Sequence, residues 1–245
     1  MATEDTAKLD RRAFLQRALL AVGTAAIPPL AAAAPAAPAP VAPSGAPADA
    51  DNPTYLSFSP DEAAFVEAMV NVMCPADSLT PSGVDCGLAF FIDRQLAGPF
   101  GKGDRLYRRG PWRQGKPELG YQLPLTPEEF FKAGLAAADA ACHRDHGKGF
   151  AALAPAEADA FLAVVATGKA LDPRVPLTEW FNDLVYPLFT QACFADPIYG
   201  GNKDKIFWSM IGYPGLPAVN GLNMVKYRGK PFPGAKSPKS IADFS

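Results

Sequence analysis

Apolar residues recur at helical spacing along most of the chain beyond about residue 55. Ser59-Pro60-Asp61-Glu62 is a helix start, with Ser as N-cap, Pro in the first turn and acids beside it. Phe65, Met69, Val72 and Met73 follow on one face. Pro75 and Ala76-Asp77 stop this helix, and a turn covers 78–82. A second helix is expected from Val84 to Leu96, carrying Leu88, Phe91 and Ile92, and Gly98-Pro99 ends it. Thr126-Pro127-Glu128-Glu129 repeats the capping chemistry ahead of Phe130, Leu135, Ala138 and Cys142. A fourth helix opens at Pro155-Ala156-Glu157, with Phe161, Leu162, Val164 and Val165 apolar. The most apolar candidate runs from Leu177 to Phe194. Pro187 lies inside it, where a missing N–H predicts a kink or break. No convincing alternating strand pattern appears. The fold class expected is mainly α: a small domain, 53–245, of about five or six helices. Long irregular Pro/Gly-rich loops should join them, and Leu216 to Ser245 should form an extended basic tail.

The first fifty residues lack this periodicity. Arg11-Arg12, followed by Phe14-Leu15, precedes a mild apolar run and an Ala-rich exit. The pattern predicts a twin-arginine export signal over residues 1–34, with cleavage near Ala32 to Ala34. Pro28-Pro29 ends an apolar run too short to span a bilayer. Residues 35–52 are Ala, Pro, Gly and Ser with almost no bulky side chain, and read as a flexible spacer.

Composition adds two constraints. The chain has 245 residues and is 49% hydrophobic, enough for one real core. Its formal net charge is -2, and it has no long basic run to steer it toward nucleic acid. The segment 101–123 interleaves Arg105, Arg108, Arg109, Arg113 and Lys116 with Tyr107, Trp112 and Tyr121. It reads as a surface loop or as a partner-facing one, since Arg, Trp and Tyr are usual interface anchors.

Candidate chemistry is sparse. His143 and His146 share a helix face, but a metal site needs further ligands, so a solvated helix end is the plainer reading. The sequence has no CxxC, GxGxxG, Walker loop or GxSxG elbow. Export would place Cys74, Cys86, Cys142 and Cys193 in an oxidising compartment. The pairing favoured is 74–86 with 142–193, and an inter-subunit bond from Cys193 is the minority alternative. The densest cluster of rings is Phe194 to Gly215, with turn signals at Asp196-Pro197 and Gly200-Gly201-Asn202. Tyr199, Phe207, Trp208, Met210, Ile211 and Tyr213 surround them. Such a loop either folds back on its own domain or meets another protein.

Several blocks coincide with one pattern. Cys74-Pro-Ala-Asp77, Pro81-Ser-Gly83, the run from Phe91 to Gly98, Gly110-Pro-Trp112 and Gly120-Tyr-Gln122 resemble the gluconate 2-dehydrogenase subunit 3 family. So do Phe194 to Asn202 and Trp208 to Gly215. The resemblance implies a small, non-catalytic subunit of a periplasmic, membrane-associated sugar or sugar-acid dehydrogenase complex. In such a complex a large flavoprotein carries FAD, and a multi-haem cytochrome c subunit takes the electrons. The small subunit would carry the flavoprotein through the twin-arginine translocase. It would hold no cofactor, have no membrane span, and stay at the inner membrane through the complex. The docking residues expected are Trp112, Asp196, Pro197, Tyr199, Gly200, Gly201, Asn202, Trp208 and Tyr213. Two other readings stand beside it. One is a stand-alone periplasmic enzyme using Asp196 or Asp204, and the other is a periplasmic small-ligand binding module.

Overall fold

A computed structural model describes residues 54–107, 109–113, 115, 116, 119, 121–170, 172–216 and 221–245. The expected export signal, with Arg11, Arg12, Phe14 and Leu15, and the spacer lie outside the described residues, as do Arg108 and Gly120. What is described is all-α. Its principal helices are α1 (Pro60–Met73), α2 (Leu88–Ala97), α3 (Pro127–His146), α4 (Pro155–Ala166), α5 (Leu177–Glu179) and α6 (Tyr186–Phe194). The six-residue α7 (Ile206–Ile211) and α8 (Gly221–Lys226) follow, and α5 is a single turn of three residues. None is long and apolar enough to cross a membrane.

The capping signals decide the helix starts. The Ser59 hydroxyl accepts from the Glu62 N–H, and the Glu62 carboxylate takes the Ser59 N–H at 2.8 Å. Thr126 and Glu129 repeat the exchange, so two otherwise orphaned donors are satisfied at each start. The second helix begins at Leu88, later than the expected Val84. Gly83 abuts the end of α1, where an added Cβ would sit 2.3 Å from the Val70 carbonyl oxygen. Gly87 then turns through a left-handed φ of 77°. The backbone has to turn before it can wind.

The core forms where α1, α2, α3 and α6 meet. Val66, Met69, Val70, Leu88, Ile92, Leu96, Phe130, Phe131, Ala138 and Leu188 are almost wholly excluded from solvent. Between α5 and α6 the helix widens into one π-helical stretch, Trp180–Val185. This is the form taken by the kink or break expected at Pro187: the winding changes and the helix does not end. The extra residue per turn lies just ahead of the proline, and absorbs the missing hydrogen bond without ending the helix. Trp180 is fully buried, and its indole Nε1 donates to the Phe131 carbonyl at 3.0 Å. The ring lies over Gly134 of α3, where a Cβ would come within 2.1 Å of it.

The chain enters this core along a strap, 54–58. Buried Asp93 of α2 accepts backbone N–H bonds from Leu56, Ser57 and Phe58 at 2.8, 2.8 and 3.0 Å. Lys132 donates to the Ser57 carbonyl at 2.6 Å, and the Ser57 hydroxyl donates to Glu128 at 2.7 Å. The C-terminal segment is more structured than an extended tail. It contains α8, 3-10 turns at Pro233–Lys236 and Ile241–Phe244, and a parallel bridge between Gly215 and Lys239.

The expected disulfides are not formed: all four cysteines are buried thiols. The 142–193 pairing fails because the two residues face different neighbours. Cys193 lies beside Cys74 and Cys86, whereas the charged neighbours of Cys142 are Asp139 and Asp145. Cys74 and Cys86 do approach each other, but as thiols sharing the Pro81 carbonyl as acceptor, at 3.9 and 3.7 Å. Burial pushes the Cys86 thiol up to about 11 and Cys142 up to about 12, and raises Cys193 further. Raised thiols are poor nucleophiles at neutral pH.

Two measurements follow from this packing. Gly134→Ala improves intrinsic helix propensity by about 1 kcal/mol but drives a methyl into the indole. The net result should be a loss of about 2 kcal/mol, read from the denaturant midpoint at unchanged m-value. A midpoint that stays or rises would mean that Trp180 moves aside easily. Alkylation without reductant should leave the native mass unchanged and add four groups after denaturation. Only two groups would reveal one bridge.

Candidate functional site

The ring-rich stretch after α6 is built as two turns stapled to the α1–α2 connection. Ala195 leaves the helix in extended conformation. The Asp196 carboxylate accepts the Ile198 N–H at 3.0 Å and caps a 3-10 turn, Pro197–Tyr199. Gly200 follows at φ 96°, packed against the Phe90 ring, and its carbonyl oxygen would be 2.2 Å from any Cβ at Gly87. Next comes Asn202, fully buried at φ 47°. Its amide donates to the Ala195 carbonyl at 3.1 Å, and its oxygen accepts the Phe207 N–H at 3.0 Å. Lys203 N–H donates to the Cys86 carbonyl at 3.1 Å. One side chain thus replaces the backbone pairing the two turns cannot give each other.

Asp204 and Lys205 also have positive φ, 58° and 59°. Left-handed backbone costs a residue with a Cβ roughly 1–2 kcal/mol, and asparagine least of these. Such strain tends to persist where surrounding contacts over-determine it, often at functional sites. Here the last turn of the chain supplies part of the hold. Asp243 accepts from Lys205 Nζ at 2.5 Å, and Asp196 also accepts the Ile241 N–H at 2.9 Å. The Lys205 hydrogen bond, helped by the Ser240 N–H, holds the Asp243 carboxyl down at about 2.

The rings divide into two sets. Phe207 and Trp208 are inside, each 5% exposed. The Trp208 indole donates to the Phe194 carbonyl at 2.8 Å, and Tyr213 meets it edge-on at 5.1 Å. Gly201 and Asn202 are also interior, so the structure moves these three expected docking residues into the packing of the loop. The exposed set is Ile198, Tyr199, Met210, Ile211 and Tyr213, with Tyr199 54% and Ile211 55% open to solvent. Asp196, Pro197 and Gly200 are partly covered. Beside Tyr199 an open cleft of about 430 Å³ is lined by Phe91, Gln95, Gln191, Phe194 and Ala195. Trp112 stands apart on the 105–122 loop at 43% exposure. That loop turns inward at Tyr121, whose ring packs on Phe130 at 4.3 Å.

The remaining candidates have structural partners. The His143 ring sits 3.0 Å from the Asp139 carbonyl and 3.3 Å from its carboxylate, and His146 meets the edge of Phe161. Among the described residues no three His, Cys, Asp or Glu side chains converge as a metal site. Sequence reasoning missed Asp93, the Lys205–Asp243 pair and Ile198, and it named Met210 and Ile211 within the ring-rich stretch without assigning them to its exposed set. The partners of Asp93 and Asp243 are distant in sequence, so no local spacing could mark them. Ile211 was detectable as an apolar residue next to a helix-ending glycine.

The comparisons agree with this geometry in extent. No curated protein and no solved structure matches the chain. The family described as gluconate 2-dehydrogenase subunit 3 matches residues 60–215, from the first capped helix to the end of the ring-rich stretch. That span covers more than half of the chain, and the chain therefore belongs to the gluconate 2-dehydrogenase subunit 3 family.

Proposed function

We propose that this chain is the small, non-catalytic subunit of an FAD-dependent dehydrogenase complex. It binds the large flavoprotein through the 196–213 face. The carrying observation is that Asn202, Asp204 and Lys205 hold a strained loop beside uncovered Ile198, Tyr199 and Ile211. A pre-shaped apolar surface loses little conformational entropy on docking, which favours association. Family membership supports a role in a dehydrogenase complex. The twin-arginine pair at Arg11 and Arg12, with Phe14 and Leu15, supports export of the assembled pair to the periplasm. Electrons leave the flavin through a multi-haem cytochrome c subunit at the inner membrane, and FAD and haem belong to those partners. Against a catalytic Asp196, both of its carboxylate oxygens are engaged in shaping the loop. The small-ligand reading would use the open cleft beside Tyr199, whose polar side chains are two glutamines and that tyrosine. Orientation of a small ligand usually needs several convergent polar groups.

Co-expression with the neighbouring dehydrogenase genes tests this. Flavin absorbance should elute with the tagged chain. Tyr199→Ala, as an anchor worth about 2 kcal/mol, should weaken the pair roughly 30-fold without lowering the melting temperature. Recovery of the chain alone, or undiminished affinity after combining Tyr199→Ala with Ile198→Asp and Ile211→Asp, overturns the docking face. Arg11→Lys with Arg12→Lys should strand dehydrogenase activity in the cytoplasm, and periplasmic activity in that strain overturns the escort role.

A further inference from the structure

Beyond the residues that the family matches, the chain builds a closed excursion. At its neck the Leu216 N–H donates to the Lys239 carbonyl at 2.8 Å, and the Lys239 N–H donates to the Pro214 carbonyl at 3.0 Å. The following residues are pinned to the domain by Asp196 and Lys205. The excursion has a small core of its own. Tyr227 and Phe232 meet edge-on at 5.2 Å, and Gly234 lies against the Phe232 ring. A loop closed at the neck and packed on itself is a structured projection.

Its outer surface combines two features. Helix α8 buries none of its residues, and Leu222, Met224 and Val225 are 88%, 73% and 79% exposed. The same segment carries Lys226, Arg228, Lys230, Lys236 and Lys239, all exposed, and no acid occurs between 221 and 239. This concentration of positive charge sits on a chain whose net charge is -2. Aliphatic side chains at such exposure are unfavourable in water unless something covers them.

We infer that this projection, 221–239, is a lipid-contact element. Leu222, Met224 and Val225 enter the acyl boundary of an anionic bilayer, and the surrounding lysines and Arg228 meet its headgroups. The charge fits an anionic surface, toward which each basic residue is attracted. The composition favours lipid over protein. Protein interfaces concentrate aromatic and arginine anchors and are depleted in lysine. Here the two rings are half-buried and pack edge-on against each other, with Lys226 over the Tyr227 ring, the most exposed apolar residues are aliphatic, and four of the five cations are lysine. Lysine stems also let an apolar tip descend while the ammonium groups stay at headgroup level. This contact is independent of the subunit reading, since the lone chain should show it.

Sedimentation of the full-length chain with vesicles tests the inference. It should pellet with equimolar phosphatidylcholine and phosphatidylglycerol, weakly with phosphatidylcholine alone, and less as salt rises. L222D/M224D/V225D should cut partition at least about tenfold. K226E/K230E should cut it about 25-fold or more, at roughly fivefold per charge. All these side chains are exposed, so melting temperatures should hold. Equal pelleting of wild type and both variants would assign binding to residues 1–53 and overturn the inference. The native cysteines are buried, so a polarity-sensitive dye on L222C reports the tip. Its emission should shift blue on anionic vesicles. A blue shift that appears only on adding the dehydrogenase subunits in lipid-free detergent would make the projection a protein contact and overturn the inference.

Discussion

The buried indole of Trp180 against the backbone of Gly134 fixes the geometry on which the rest depends. A tryptophan in a core must place both a large ring and a polar N–H. Glycine in the middle of a helix costs stability, and here it leaves open the space that the ring occupies. The Phe131 carbonyl then fixes the ring's direction. That contact sets where the π-helical stretch crosses α3, and hence where α6 ends. The carbonyls of Phe194 and Ala195, at the end of α6, receive Trp208 and Asn202. The candidate docking face thus inherits its position from a contact at the opposite end of the same helix.

Carboxylates do the work that strands would do in another fold. Without strands among the described residues, irregular segments need other acceptors for their N–H groups. Asp93 gathers the entry strap, Asp139 takes the Phe150 N–H, Asp172 shapes the turn before α5, and Asp196 joins loop to tail. Asp93 alone of these is fully buried, and its three backbone donors offset the cost of removing its charge from water. A chain rich in proline and glycine can therefore hold long loops in single conformations.

Local signals in the sequence were legible and long-range ones were not. Ser59 and Thr126 cap their helices as their spacing implies, because capping is settled within one turn. The start of the second helix was misplaced because the turn at Gly83 and Gly87 answers to α1 and to Gly200, neither of which is near in sequence. The proline in the last long helix signalled a disturbance, but its form, a π-helical stretch from Trp180 to Val185, goes with the buried indole about two turns earlier. The ring-rich stretch was recognisable as a unit. Which rings face inward was not, since the burial of Trp208 goes with its bond to the Phe194 carbonyl, a contact that exists only once α7 packs on α6. Thiol partners were illegible for the same reason. Cys193 faces Cys74 and Cys86, a neighbourhood that exists only once the helices pack.

Gly87 and Gly200 touch backbone to backbone. Neither residue has a smaller alternative, so enlarging one cannot be offset by trimming the other. A side chain at Gly87 would strike the Gly200 carbonyl and press the α1–α2 connection away from the loop, against the Lys203 to Cys86 bond, whereas a side chain at Gly200 would strike the Phe90 ring of α2. Gly87 is thus tied to the loop backbone and Gly200 to the Phe90 ring, so residues 87, 90 and 200 of a relative, read together, would tell whether its loop can close in this way.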